Sequence, residues 1–355
     1  MNVSGGMAMR MLAKGAWNTF RKYPLSISFE VTHACTANCW HCNWGGPIKE
    51  TRRTPEEYAA ICRDLHPVVV NVSGGEPMAR GDLDDIVRAL SGPGGLPWIV
   101  VVSNASQLSP ERFLRLKAAG MHQLSLSIDF PDDRHSEFRR IPGLFAHMSE
   151  MVPKCVAIGD DDDISLNCCI TAWNYRAVPD IVRLAARWGV SINFSVYTPL
   201  RMDDPKGLVK FNASASGVEL KEKFEEVIAL KREGYPVYTS ERVLWKFHRF
   251  LIEGRAPGCS AGYRFVVINP DGRLTPCAMV MAYFDDHRTM QKEFSSHNTC
   301  EACFISTRAN CEKTLSESLA DNVDTLRLML PWNWNGRRST AESRRALAAI
   351  AVPPQ

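Results

Sequence analysis

Three cysteines, Cys35, Cys39 and Cys42, fall within the eight-residue stretch CTANCWHC. Thiols spaced this tightly make poor disulfide partners for one another. A loop of this spacing suits a metal centre instead. An iron–sulfur cluster takes cysteine thiolates, and three of them leave one iron open to a further ligand. A structural zinc ion would close its fourth position with a nitrogen from His33 or His41, so the spacing alone admits both metals. Downstream, SGGEP occupies residues 73–77. Its adjacent glycines, Gly74 and Gly75, let a backbone come close to a ligand and present its polar groups. Five more cysteines gather near the C-terminus: Cys259, Cys277, Cys300, Cys303 and Cys311. Four thiolates complete the ligand set of one cluster or of a zinc knuckle.

These groups need a scaffold, and the hydrophobic pattern supplies one. β-rich runs at 25–31, 68–73, 98–104, 123–129, 164–170 and 192–197 alternate with helical stretches. Thr54 before Pro55 and Ser109 before Pro110 are helix starts, and Gly120 and Gly189 are helix ends. Six βα units predict an α/β fold with a parallel sheet, as a partial (β/α)6 TIM-like barrel or, alternatively, an open sheet. Such folds place chemistry at the C-terminal ends of their strands. The cysteine loop leaves the first strand and GGEP leaves the second, so both fall on one rim. Residues 1–24 form a basic amphipathic segment that either docks on the barrel or makes peripheral membrane contact. The barrel covers 25–215, linking helices cover 216–258, and a cysteine-rich unit with a β-hairpin turning at Asn269-Pro270-Asp271-Gly272 covers 259–311. A helix is expected from Leu315, Leu319, Val323, Leu326 and Leu330, within a C-terminal unit of 312–355.

Composition narrows the class. The chain has 355 residues, with 45% apolar and 23% charged. A net charge of +3 argues against a dedicated nucleic-acid binder. No apolar run is long enough to span a bilayer, and the N-terminus lacks a secretory h-region, so a cytoplasmic protein is expected. In that setting twelve cysteines read as metal ligands or catalytic thiols rather than disulfides.

The combination of Cys-x3-Cys-x2-Cys after the first strand, GGEP after the second and six βα units resembles the radical S-adenosylmethionine (SAM) superfamily over residues 25–200. The resemblance implies a 4Fe–4S cluster on Cys35, Cys39 and Cys42, whose open iron chelates SAM. It also implies reduction by a flavodoxin or ferredoxin, and a 5′-deoxyadenosyl radical that abstracts hydrogen from a substrate. By the same resemblance Gly74, Gly75 and Glu76 would meet the SAM amino group, and His41 would lie beside the adenine. Ser127, in SLSID, would lie near SAM. Arg139, in HSEFRR with His135 and Arg140, would pair with the SAM carboxylate, and Asn167 with the ribose.

The later cysteines resemble the SPASM and twitch extensions of that superfamily, through Cys259-x12-Gly272-x4-Cys277 and Cys300-x2-Cys303. Five cysteines cannot fill two clusters, so one auxiliary 4Fe–4S cluster on Cys259, Cys277, Cys300 and Cys303 is expected. Cys311 is then an alternative ligand or a free thiol. Strand alternation puts Cys169 on the face of Asn167. There it would either return a hydrogen atom to a substrate radical or fill space as a small apolar residue. Cys169, Cys311 and Tyr197 are the catalytic candidates. The 34 residues ahead of Cys35 leave no room for a cobalamin domain or a leader-peptide binder, which directs the expectation to a small-molecule substrate. A peptide maturase, a lipid-modifying enzyme and a non-enzymatic iron–sulfur or zinc protein are the rivals.

Overall fold

The computed structural model describes residues 5–160, 162–201, 215–314, 317 and 321. The helix expected through Leu315 to Leu330, and most of 312–355, lie outside the described residues. In chain order the elements begin with α1 (Gly5–Arg21), β1 (Ser26–Thr32), α2 (Pro55–Leu65), β2 (Val69–Gly74), α3 (Leu83–Leu90), β3 (Trp98–Ser103) and α4 (Pro110–Ala119). Next come β4 (Gln123–Ser127), α5 (Arg134–Arg139), α6 (Leu144–Ile158), β5 (Ile164–Ile170), α7 (Val178–Trp188) and β6 (Ser191–Val196). The chain continues with α8 (Ala215–Arg232), α9 (Glu241–Glu253), β7 (Phe265–Ile268), β8 (Leu274–Thr275), α10 (His287–Glu293) and α11 (Ser306–Cys311).

The expected caps form. Thr54 makes a full capping box with Glu57, the Ser109 side chain accepts from the Arg112 amide, and Gly120 and Gly189 end their helices in left-handed geometry. The stretch 135–152 reads as one helix in sequence but folds as two. Pro142 disfavours helical geometry at Ile141 and offers no amide. Arg140 turns left-handed at φ 57° and Gly143 at φ 72°, separating α5 from α6.

Strands β1 to β6 are parallel neighbours in an open eight-stranded sheet of order β6-β5-β4-β3-β2-β1-β7-β8. The hairpin of the cysteine-rich segment extends this sheet. β7 lies parallel to β1, with Ser26 opposite Phe265 and Phe29 opposite Ile268, and β8 returns antiparallel. Alternation sorts the strand residues. Ile27, Phe29, Val70, Val72, Ile99, Val101, Leu124, Leu126, Leu166, Ile192 and Phe194 face the helices and are buried in one core with Tyr58, Ile86, Phe113, Met148 and Ile181. Each such apolar side chain contributes about 1.5–3 kcal/mol on burial. The alternate positions are largely polar: Ser28, Asn71, Ser127, Asn167, Asn193 and Ser195. In-register pairing aligns Ser127 with Asn167 and Asn167 with Asn193 in one row of the inner face.

The free edge of β6 is covered from two sides. Residues 236–239 run beside it, with the Tyr238 amide donating to the Ile192 carbonyl at 2.9 Å and the Phe194 amide to Thr239 Oγ1 at 2.9 Å. The 302–306 segment reaches it as well, since Thr198 Oγ1 donates to the Ala302 carbonyl at 2.8 Å and the Ser306 amide to Ser195 Oγ at 3.1 Å. Residues within and just after the Cys300-x2-Cys303 pair therefore contact the C-terminal end of β6.

At the opposite end, buried Asn18 docks α1. Its Nδ2 donates to the carbonyls of Pro24 at 2.7 Å and His66 at 2.8 Å, tying the helix to the entry of β1 and the end of α2. Met9, Leu12 and Phe20 stay exposed on the other face. Asn18→Ala leaves two carbonyls without their donor and is expected to lower unfolding free energy by about 1–3 kcal/mol, read from the urea midpoint.

Candidate active site

The loop after β1 is fixed by backbone contacts on three sides. Cys35 and Gly46 exchange amide–carbonyl bonds at 3.1 and 3.0 Å and close the loop on itself. The Asn38 and Trp40 amides donate to the carbonyls of Arg139 (3.3 Å) and Phe138 (3.2 Å), joining the loop to the end of α5. The Gly75 and Glu76 amides donate to the carbonyls of Thr32 (2.6 Å) and Ala34 (2.9 Å), joining it to the turn after β2. Both glycines serve this contact. A Cβ on Gly74, at φ +137°, would stand 2.1 Å from the Thr32 carbonyl oxygen, and one on Gly75 2.1 Å from that of Ala34. The Gly-Gly pair lets the turn lie directly on the cysteine loop.

Glu76 braces that turn from within. Its buried carboxylate accepts from the Asn104 amide (2.7 Å), Ser103 Oγ (2.8 Å) and the Met78 amide (3.0 Å), and burial nonetheless pushes its pKa up. Its side chain is thus occupied at the end of β3. His33 is also engaged away from the thiols: Nε2 lies 2.9 Å from Glu30 Oε2, and the ring stacks on Trp44 at 3.9 Å. His41 stacks on Phe138 at 5.0 Å, and burial pushes it down to about 4.

The sulfur surroundings suit thiolates. The amide two residues on donates to Cys35 Sγ from Ala37 and to Cys42 Sγ from Trp44, each at 3.4 Å. Asn104 Nδ2 adds a contact to Cys35 Sγ at 3.7 Å. Burial pushes Cys39 up to about 12, with the nearby thiols of Cys42 and Cys35 adding to the rise. Such thiols lose their protons to a bound metal rather than to solvent. Three thiols, two of them receiving an amide hydrogen bond, are a donor set that fits an iron–sulfur cluster.

A buried charge cluster lies beside this loop. Arg139 Nε donates to Asp129 Oδ2 at 2.7 Å, with both side chains buried. Burial opposes the Arg139 charge, but Asp129 and the thiols of Cys39 and Cys42 outweigh it and raise its pKa. Burial likewise opposes the Asp129 carboxylate, which Arg139, His41 and His135 hold below its usual range. His135 accepts from the Asp129 amide at 3.1 Å through Nδ1, and burial pushes it down to about 3. Ser127 and Asn167 sit in register on adjacent strands. Cys169 packs against the buried group of Phe130, Phe138, Ala177 and Tyr197, with Trp40 beside it, and its thiol is pushed up by burial. Cys169 and Tyr197 thus border the aromatic patch on which His41 stacks.

The C-terminal cysteines form a second set. Cys277 senses Cys259 and Cys300, and Cys303 senses Cys277 and Cys259. The amide two residues on again reaches the sulfur, from Ala261 to Cys259, Met279 to Cys277 and Ile305 to Cys303. Cys311, inside α11, has no such amide. Its neighbours in charge are Glu312, Arg264 and Lys313, and burial pushes it up to about 12. The pattern of residue types does not single out Asp129, Arg308 or Glu312, although all three carry charge against these sites. The i,i+4 spacing of Arg308 and Glu312 is their one local signal.

Residues 29–185 match the family model of the radical SAM superfamily. The chain is 28% identical over 279 residues to the AdoMet-dependent heme synthase of Nitratidesulfovibrio vulgaris, covering 71% of this chain and 72% of that protein. It is 27% identical over 270 residues to the PqqA peptide cyclase of Gluconobacter oxydans, covering 72% and 70%. Streptococcus suis SuiB bound to S-adenosylmethionine shares the fold, with a TM-score of 0.58 at 15% identity over 79% of this chain and 67% of that one.

Two outcomes follow from the geometry. Gly75→Ala drives a Cβ into the Ala34 carbonyl, so it is expected to destabilise by about 1–3 kcal/mol and to lose iron from the first cysteine set, measured by iron content after reconstitution. His135 stays neutral when folded but takes a proton near pH 6.5 when unfolded. Its contribution to stability is therefore lost as pH falls below about 6.5, so the urea midpoint should drop from about pH 7.5 to about pH 5.5, less steeply in His135→Gln.

Proposed function

The chain belongs, through residues 29–185, to the radical SAM superfamily and is a radical SAM enzyme, and on that premise we propose that it abstracts a hydrogen atom from a small polar biosynthetic molecule. Cys35, Cys39 and Cys42 would hold a 4Fe–4S cluster that, with SAM bound, would supply the radical chemistry for that abstraction. The observation that carries the reading is the interlock of cysteine loop, Gly-Gly turn and α5 through four backbone hydrogen bonds. It joins three of the segments from which SAM contacts are proposed.

The chain's own residues then divide the work. The Gly74–Gly75 backbone sets the height of the turn over the cysteine loop. Arg139, held on one edge by Asp129, keeps the remaining nitrogens of its guanidinium for a carboxylate. His41, neutral on Phe138, offers a flat face to an adenine. Ser127, Asn167 and Asn193 present hydroxyl and amide groups along the inner face, which suits a substrate rich in hydroxyls. Cys259, Cys277, Cys300 and Cys303 are the proposed ligands of an auxiliary 4Fe–4S cluster, a fully closed centre suited to taking the electron released when an alcohol becomes a carbonyl. A flavodoxin or ferredoxin is the proposed reductant.

A peptide substrate is the second reading, favoured by relatives such as the PqqA peptide cyclase. The two readings share the radical step and differ in what occupies the inner face.

Anaerobic reconstitution tests the common part. The intact chain is expected to hold about eight irons and to form 5′-deoxyadenosine from SAM and dithionite. About four irons would remove the auxiliary cluster, and no 5′-deoxyadenosine would sink the enzyme reading. Cys39→Ala should abolish SAM cleavage. Cys303→Ala should keep part of that cleavage while losing substrate turnover.

A further inference from the structure

Arg308 lies in α11 and is the largest fully buried side chain of the described residues. Its guanidinium makes three directed contacts. Nη1 donates to the Cys303 carbonyl at 2.5 Å, Nη2 to the Pro257 carbonyl at 2.9 Å, and Nε to Glu312 Oε2 at 2.8 Å. The other Glu312 oxygen accepts from the Ser260 amide at 2.7 Å and from Ser260 Oγ at 2.9 Å. Pro257 and Ser260 flank Cys259 in the chain, so one ion pair clasps the backbone on both sides of Cys259 and at Cys303. The guanidinium also sits over the Phe304 ring at 5.6 Å.

Burying a full charge costs several kcal/mol, and a hydrophobic pair of the same volume would pack at least as well. Fold stability alone does not call for an arginine here. Its position does have a consequence for charge. Arg308 bonds the Cys303 carbonyl and Glu312 bonds the Ser260 amide next to Cys259, so both charges stand within a residue or two of proposed ligands. A cluster takes its potential from net charge, hydrogen bonds to its sulfurs and exposure, and this pair brings a cation and an anion close to two of its four ligands.

We propose that Arg308 and Glu312 are a positioning pair for the auxiliary cluster, Arg308 fixing the Cys259 and Cys303 loops and favouring the reduced state, Glu312 opposing it. This rests on the auxiliary-cluster reading above. Adding an electron adds negative charge near both groups. Losing the cation makes reduction harder, and losing the anion makes it easier.

The test uses the full chain with Cys35, Cys39 and Cys42 all replaced by alanine, so that one cluster remains. The readouts are iron content, cluster loss to a chelator and the midpoint potential from an EPR-monitored titration. Arg308→Met is expected to lower the potential and Glu312→Gln to raise it, each by about tenfold or more in the reduction equilibrium, about 59 mV for one electron. The double variant should return close to the parent. Arg308→Lys, which keeps the charge but not the fork, should hold the potential while losing its cluster about 10–100-fold faster. If Arg308→Met does not fold, Glu312→Gln and Arg308→Lys carry the same comparison. Iron retained with an unmoved potential, or with shifts of one sign, overturns this proposal alone. No iron in the parent overturns the auxiliary-cluster reading and this proposal with it.

Discussion

Two carbonyl oxygens, those of Thr32 and Ala34, decide where the first three cysteines stand. They accept the amides of Gly75 and Glu76, and a side chain on either glycine would collide with them at 2.1 Å. The consequence runs outward from there. β1 and β2 must end level, so that the cysteine loop and the Gly-Gly turn meet, and the β1–β2 register shifts between Glu30 and Thr32 to bring Gly74 opposite Thr32. Glu76 must point inward, where Ser103 and Asn104 at the end of β3 hold it. Three consecutive strand ends are thereby locked into one surface. An open iron is useful only if its extra ligand is held in place, and a backbone-to-backbone lock does so with little freedom lost on binding.

The two cysteine sets share an electrostatic device. Each is backed by a buried arginine paired with a carboxylate: Arg139 with Asp129 beside Cys39 and Cys42, and Arg308 with Glu312 beside Cys259 and Cys303. Thiolate groups gathered out of water repel one another, and burial alone pushes these thiols towards their neutral form. A cation close by offsets both effects, and its carboxylate partner keeps that cation from being a buried unpaired charge. The sets differ in what else the arginine contacts. Arg308 spends its three groups on two backbone carbonyls and Glu312, whereas Arg139 gives its Nε to Asp129. The first is tied into the chain, and the second keeps donors for a ligand under the proposed chemistry.

Much of this was legible in the sequence, and the reason is local. Strand alternation, the Thr54 and Ser109 caps and the glycine stops at Gly120 and Gly189 each depend on a few neighbouring residues, so the six parallel strands could be read within a residue or two of their ends. The break at Arg140–Gly143 was also local, but Pro142 sits about two turns into an otherwise helical pattern and is easily passed over. What could not be read depends on contacts between distant segments. Nothing near Phe265 says that β7 will pair with β1, where its partner is Ser26. Nor does the sequence around Gly74 and Gly75 show that the carbonyls of Thr32 and Ala34 lie against them. Asp129 and Glu312 carry ordinary carboxylates in sequence, and only the fold puts them against buried arginines.

The β7–β1 pairing bears on how the two halves of the chain would act together. It makes the cysteine-rich segment a continuation of the sheet that carries the first cysteine loop, and the contacts of 302–306 with Ser195 and Thr198 return that segment to the far edge. One end of residues 259–311 is thus fixed to β1 and the other to β6, on either side of the open face. A substrate on the row of Ser127, Asn167 and Asn193 would lie within that frame. Radical chemistry needs this kind of closure, because an unpaired electron reacts with whatever it meets and must be given one neighbour and one exit. In the proposed reaction the rim of Cys35, Cys39 and Cys42 provides the neighbour. The wall of Cys259, Cys277, Cys300 and Cys303 provides the exit, and the hairpin between Cys259 and Cys277 belongs to the sheet that carries the first cysteine loop.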